Sequence, residues 1–133
     1  MISKKIRPAH GPEYGIMKEI LTFLKARGWH CERIVGLGIQ FGLPDLLVCH
    51  KKYGIRFIEV KNEDRFGFTK AQKWKFPLLM ENGCGIWVMT EATEGQYERL
   101  FKEPNLWDYL DRRKCPSMEE IYNLFEELAD GNI

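Results

Sequence analysis

The amino-acid sequence predicts an α/β domain with a mixed β-sheet: a helix, three strands, a second helix and a fourth strand, followed by helices. Three observations favour this class. Apolar residues from Ile16 to Leu24 recur at helical spacing. Two strand-like runs, at 43–50 and 55–62, are joined by the turn sequence KKYG, which is typical of a hairpin. A wholly apolar run at 85–90 indicates a strand buried on both faces.

The first elements are expected to be a helix, a short strand and a glycine-rich loop. Gly11-Pro12 should open the helix, with proline at its first position, and Gly28 should end it. The sequence WHCERIV at 29–35 predicts a strand, and GLGIQFG at 36–42 predicts a loop. The glycines of that loop miss the GxGxxG spacing, and a proline and a strand follow them. We therefore expect a turn there, not a phosphate-binding loop.

A second helix is expected after the loop at 62–68. Thr69 should cap this helix, and Asn82-Gly83 should end it. Pro77 lies inside it and should kink or split it.

The C-terminal part from Glu94 to Asp130 is expected to be mostly helical, in two segments separated near Cys115-Pro116. Its apolar residues have two possible roles: they pair subunits of a dimer, or they pack on the sheet of their own protomer. The residues concerned are Leu106, Trp107, Tyr109 and Leu110.

Composition predicts one soluble globular domain spanning residues 1–133. The chain is 44% apolar and 29% charged, which is ordinary for such a domain and excludes disorder. No run approaches the roughly 20 apolar residues of a membrane span, and no apolar segment follows the basic N-terminus as in a signal peptide. The four cysteines include no CxxC pair, which predicts a reduced cytoplasmic protein and makes a zinc site unexpected.

Charge is divided unequally along the chain. Residues 1–75 contain 15 Lys+Arg and 7 Asp+Glu, a net charge of +8, whereas residues 76–133 have a net charge of −7. The division indicates that the first half faces a polyanion such as a nucleic acid. The alternative is that the two halves attract each other across the fold.

A possible catalytic cluster lies on the two hairpin strands. Residues two apart on a strand share a face, so Glu59 and Lys61 should point the same way and Val60 the other way. Asp45 joins that face if it pairs with residue 59 or 61. Two carboxylates and an ammonium group suit Mg²⁺ binding and phosphodiester hydrolysis. The alternative is a surface Glu-Lys pair and an aspartate in a turn.

Glu13 and Gln72 each have two interpretations. Glu13 shares a helix face with Met17, Ile20 and Leu24, so it either joins a metal site or complements the helix dipole as a solvated acid. Gln72 fits a T-x-x-Q capping box with Thr69, which the sequence favours; otherwise it contacts the water or phosphate beside Glu59 and Lys61.

The order of these motifs resembles the VRR-NUC (virus-type replication-repair nuclease) domains of the PD-(D/E)XK nuclease superfamily. The match covers roughly residues 11–90. Its elements are a helix from Glu13 to Gly28, G-x-P-D-L at 42–46, E-V-K at 59–61, T-x-x-Q at 69–72, and Gly83 before the strand from Ile86 to Met89.

The resemblance implies a restriction-endonuclease-like fold and a metal site. Asp45, Glu59 and the Val60 carbonyl would bind Mg²⁺, for which Mn²⁺ would substitute, with Glu13 as an outer ligand. Lys61 would orient the nucleophilic water, and Gln72 would support the site. Residues 11–90 would form the catalytic core, and the acidic extension at 91–133 matches no role in the family.

Basic residues around this cluster are expected to neutralise DNA phosphates without base specificity. They are Arg65, Lys70, Lys73, Lys75, Lys51 and Lys52, with Lys4, Lys5 and Arg7 on the N-terminal arm. Phe66 and Phe68 either stack on unpaired bases or pack in the core.

The sequence therefore predicts a Mg²⁺-dependent DNA endonuclease that acts on branched or Holliday-junction DNA as a homodimer, in the cytoplasm of a bacterial or virus-infected cell. Two alternatives remain: a nuclease on linear, flap or single-stranded DNA, and an inactive DNA-binding module of nuclease fold.

Overall fold

The computed structural model describes residues 13–34 and 42–129. The helices and strands are α1 (Tyr14–Lys25), β1 (His30–Arg33), β2 (Leu46–His50), β3 (Gly54–Val60), α2 (Lys70–Glu81), β4 (Ile86–Met89), α3 (Glu94–Tyr97) and α4 (Met118–Ala129). The order α-β-β-β-α-β followed by helical segments confirms the predicted fold class. Each strand is shorter than the run that predicted it, and the predicted start of the first helix at Gly11-Pro12 lies outside the described residues.

The four strands form one mixed sheet in the order β1-β2-β3-β4. β1 and β2 pair antiparallel, β2 and β3 form the predicted antiparallel hairpin, and β4 joins β3 in parallel. The hairpin pairs Leu46 with Ile58. Continued by one residue, this register sets Asp45 opposite Glu59, which is one of the two arrangements that the sequence allowed.

Helix α1 covers one face of the sheet. Met17, Ile20 and Leu24 are its buried residues, and they pack in one core with Leu46 and Ile58. This confirms the helical face inferred from the sequence. The chain leaves the helix through Gly28, whose φ of 91° is a conformation that favours glycine.

Helix α2 lies on the opposite face. Its Phe76 packs in a second core with Ile86 and Val88 of β4. The predicted cap is present, but the predicted splitting at Pro77 is wrong: the helix is continuous over 12 residues. Pro77 lacks a hydrogen-bond donor, which costs about 3 kcal/mol in a helix interior. Pro77 and its neighbours Phe76 and Leu78 are all buried, and that burial offsets the loss.

The segment after β4 differs from the prediction. The sequence predicted a first long helical segment from Glu94, but only the four-residue α3 and single 3₁₀ turns form before Pro116. The reason is that Asn105 contacts the edge of the sheet. Its side chain accepts from Val88 N at 2.7 Å and donates to Val88 O at 3.2 Å, which a residue inside a long helix, away from the sheet, would not do. The second predicted segment is confirmed as α4.

The apolar residues of this segment pack within the protomer. Leu106 and Leu110 are buried in the core beneath α2, and Trp107 and Tyr109 pack against that core. Of the two roles that the sequence left open for these four residues, packing on the protomer's own sheet is the one observed.

The described helices are all too short and too polar to cross a membrane. The four cysteines, each partly buried, are free thiols.

Candidate active site

Three charged side chains meet where the hairpin strands end, on the side of the sheet that α2 covers. Asp45 immediately precedes β2, Glu59 lies near the end of β3, and Lys61 follows β3. Lys61 Nζ lies 3.1 Å from Glu59 Oε2, which confirms that the two side chains share a face. Val60 packs in the α1 core on the other face.

Glu59 is the most deeply buried of these charged groups, with 2% of the residue exposed. Its Oε2 accepts from Gln72 Nε2 at 2.9 Å and contacts Lys61 Nζ. Its Oε1 is buried and has no hydrogen-bond partner among the residues at 13–34 and 42–129. Burial and then the charge of Asp45 raise the pKa of Glu59 to about 8, although Lys61 and Gln72 oppose that rise.

Asp45 is held by the backbone of the partner strand. Its Oδ2 accepts from Val60 N at 2.9 Å. Burial raises the pKa of Asp45 above its ordinary value; the Val60 N–H and Lys61 oppose the rise, and the charge of Glu13 adds to it. Glu13, the N-cap residue of α1, is therefore close enough to act electrostatically on Asp45.

Lys61 is held by three groups besides Glu59. Its Nζ donates to the Gly67 carbonyl at 2.7 Å and to Gln72 Oε1 at 3.5 Å, and it lies 4.4 Å from the centre of the Phe68 ring. The roles of Gly67 and Phe68 in holding Lys61 were not predicted from the sequence. No sequence pattern indicates the contact of Lys61 with a backbone carbonyl in the loop at 62–68. The aromatic residue seven positions after the lysine was the one available signal for the contact with Phe68.

Gln72 has both roles that the sequence offered as alternatives. Its Oε1 accepts from Thr69 N at 3.0 Å, while Thr69 Oγ1 accepts from Gln72 N at 3.1 Å, so the capping box is complete. Its Nε2 donates to Glu59 at the same time. One amide side chain thus links the start of α2 to the buried carboxylate.

Gly42 lets the chain pass close to α2 just before Asp45. Its φ is 76°, and a Cβ atom there would lie 2.7 Å from the carbonyl oxygen of Ala71. The glycine of the G-x-P-D-L motif therefore sets how the strand containing Asp45 approaches the helix containing Gln72.

The donor set fits a hard cation. In the described ranges, no group of three or more His, Cys, Asp or Glu side chains is arranged to hold a metal ion. Mg²⁺, however, needs only one or two carboxylates because it retains several waters. Asp45 and Glu59 meet that requirement, and the partnerless Glu59 Oε1 is a buried oxygen that a cation would satisfy.

The basic residues divide into two groups. Arg65 lies in the loop after Lys61, and Lys70, Lys73 and Lys75 lie in the first half of α2, which also contains Gln72. Lys51 and Lys52 are instead in the hairpin turn, about 20 Å from Asp45 by the length of the strand. Lys4, Lys5 and Arg7 lie outside the described residues.

The phenylalanines of the loop also differ from each other. Phe68 is partly buried and packs edge-to-face on Phe76, as expected of a core residue. Phe66 is 41% exposed. Its ring centre lies 5.3 Å from that of Tyr109.

A mixed sheet between helices, with an acidic pair and a lysine at the end of its hairpin, is the arrangement of a nuclease-domain fold. Among solved structures, a VRR-NUC domain matches 74% of this chain and 97% of its own length, with a TM-score of 0.52 and 22% identity. The chain therefore has a VRR-NUC domain fold, as the motifs implied. No family model matches the sequence, and no curated protein is significantly similar to it.

Proposed function

We propose that the protein is a Mg²⁺-dependent nuclease that hydrolyses phosphodiester bonds in DNA. The observation that carries this proposal is the partnerless Oε1 of Glu59, buried in a cluster with Asp45, Lys61 and Gln72. Burying a carboxylate without satisfying its oxygens is costly, so a site kept in this form indicates a ligand. The VRR-NUC fold supports phosphodiester hydrolysis as the reaction.

Asp45, Glu59 and the Val60 carbonyl would hold the cation, with Glu13 as an outer ligand. When bound, Mg²⁺ neutralises charge on the reacting phosphate and lowers the pKa of an attacking water. Lys61 orients that water and contacts the phosphate, because its ammonium group is fixed by Glu59 and by the Gly67 carbonyl. Gln72 keeps Glu59 in place from the start of α2.

The substrate surface would continue from the cluster over the loop at 62–68 and the first half of α2. The cations there, Arg65, Lys70, Lys73 and Lys75, would bind phosphates on either side of the cleaved bond. We propose branched or four-way-junction DNA as the substrate and a homodimer as the active form, because two opposing nicks need two sites in fixed relation. Tyr122 and Phe125 are exposed on α4 and are available for such pairing, whereas Leu106 and Leu110 are buried.

The test is cleavage of labelled linear, flap and four-way-junction DNA by the pure protein, with Mg²⁺ or EDTA. We expect cleavage only with Mg²⁺, and losses of several orders of magnitude in Lys61→Ala and Asp45→Asn. Lys114→Ala is the matched control, since Lys114 is an exposed lysine outside the cluster. Full activity of Lys61→Ala, or cleavage in EDTA, would reject the mechanism. Cleavage of linear or flap DNA alone would favour the alternative substrates.

A further inference from the structure

A second concave site adjoins the cluster. It is a cleft of about 460 Å³, within the size range of small-ligand sites. One wall comes from the loop after Lys61, and the other comes from the segment that follows α3. Its lining includes charged residues from both walls and two aromatic residues, Phe66 and Tyr109.

The cleft presents an aromatic surface. Phe66 and Tyr109 meet edge-to-face, with their ring centres 5.3 Å apart and their planes at 62°. Tyr109 is fixed, because its hydroxyl donates to Glu63 Oε1 at 3.2 Å and accepts from Arg99 at 3.0 Å. Phe66 is 41% exposed, so its ring is accessible from solvent. One rigid ring and one accessible ring form a surface suited to stacking a planar group.

The charge of the cleft disfavours a phosphate. Carboxylates line it at Glu63, Glu103 and Asp108, against the cations Arg99 and Lys102. Arg99 is already engaged, since its Nη1 donates to the Val88 carbonyl and to the Tyr109 hydroxyl. The occupant should therefore be planar and uncharged, with hydrogen-bond donors for the carboxylates.

The cleft is also joined to the catalytic cluster. Phe66 precedes Gly67, whose carbonyl accepts from Lys61 Nζ at 2.7 Å. The Phe66 ring packs on Phe68, which in turn lies against Lys61 Nζ. A group stacked on Phe66 would thus lie within one or two nucleotides of a phosphate held at Lys61.

We propose that this cleft receives a nucleobase that has left the DNA stack, next to the cleaved bond. This rests on the proposed nuclease function and adds to it a site for an unpaired base. The base supplies a planar, neutral surface and amino or imino groups that would donate hydrogen bonds to the carboxylates. Its sugar-phosphate backbone remains outside, on the basic surface of α2.

The test measures binding of a single-stranded DNA oligonucleotide in EDTA, by fluorescence anisotropy, after the cleaved position has been mapped with Mg²⁺. One abasic site is moved along the oligonucleotide. In the wild type, we expect about tenfold weaker binding when it lies within two nucleotides of the cleaved bond, since stacking on an aromatic residue contributes roughly 5- to 150-fold. Phe66→Ala should bind the intact strand about tenfold more weakly, and the abasic site should weaken its binding no further. Phe66→Tyr should restore both the affinity for the intact strand and the loss of affinity at the abasic site.

Phe101→Ala is the matched control, because Phe101 is an exposed phenylalanine (43%) that packs on Tyr53 and Tyr97 and does not line the cleft. It should behave as the wild type, and thermal melting should show every variant folded. An abasic penalty of equal size in the wild type and Phe66→Ala would overturn the base site while leaving the nuclease intact. A wild type that neither binds nor cuts any DNA would overturn the proposed function and the base site together.

Discussion

Gln72 offers the sharpest test of the site, because one side chain has two separable roles. Gln72→Ala removes both the capping contact to Thr69 N and the hydrogen bond to Glu59. Thr69→Ala removes only a capping contact, the one from Gln72 N to Thr69 Oγ1, and leaves the Glu59 bond in place. Comparing the two variants therefore distinguishes the structural role from the catalytic one.

The structure gives an expected magnitude for each variant. Losing an N-cap side chain costs about 1 kcal/mol, which is what we expect of Thr69→Ala. Gln72→Ala should cost about 2.5–4 kcal/mol, since a hydrogen bond to a charged group contributes about 1.5–3 kcal/mol beyond the cap. Losing a residue that orients a metal-binding carboxylate typically lowers activity 10- to 100-fold. We expect that loss in Gln72→Ala and less than a twofold change in Thr69→Ala.

The measurements are urea unfolding for stability and single-turnover cleavage over a Mg²⁺ titration for activity. Gln72→Glu serves as a third variant, because glutamate keeps the cap but cannot donate to Glu59 and adds a third carboxylate. It should keep the stability contributed by the cap, lose that contributed by the Glu59 hydrogen bond, and lose activity. If all three variants cleave at the wild-type rate at every Mg²⁺ concentration, Gln72 is only a helix cap and our account of its second role is refuted.

Three further predictions concern stability and assembly. Gly42→Ala should lower the free energy of unfolding by about 1–3 kcal/mol, because alanine resists the positive φ and its Cβ would meet the Ala71 carbonyl. The control Gly15→Ala has open space around it and should raise the free energy of unfolding by up to about 1 kcal/mol, so equal urea midpoints for the two variants would contradict this prediction. The pKa of Glu59 is raised to about 8 from an ordinary 4.5, so the folded state binds the proton more tightly than the unfolded state. In EDTA the free energy of unfolding should therefore fall from pH 5 to pH 8, and Glu59→Gln should reduce that fall. A pH profile that is the same in Glu59→Gln as in the wild type would contradict the raised pKa. Light scattering at micromolar concentration should give twice the protomer mass of 15.7 kDa, and a strict monomer with and without DNA would refute the homodimer.

The parts of the fold that follow from local patterns could be predicted from the sequence. Alternation and a short turn define the hairpin, so the meeting of Glu59 and Lys61 on one face was predictable. The register of Asp45 was predictable only to two alternatives, because the sequence does not reveal which residues form the turn. Helix α2 was misjudged at Pro77 because the burial that offsets its missing donor is a tertiary effect.

The remaining differences arise from contacts between distant segments. Asn105 binds Val88 across 17 residues, and no helical or strand periodicity encodes that contact. Gln72 was assigned two competing roles because a sequence motif describes one partner at a time, whereas an amide has an acceptor and a donor that can bind different partners. The cleft at Phe66 and Tyr109 likewise depends on two segments that only the folded chain brings together.

The contact of Asn105 with β4 affects where the chain can be shortened. β4 is an edge strand, and exposed edge strands invite pairing with other chains. Asn105 and Arg99 both bind the Val88 backbone on that edge, so they act as a covering for it. A shortened chain ending near residue 90 would contain the whole nuclease-like motif and yet expose this edge. We therefore expect such a shortened chain to self-associate through β4, and residues 91–110 to protect the sheet from this by covering its edge.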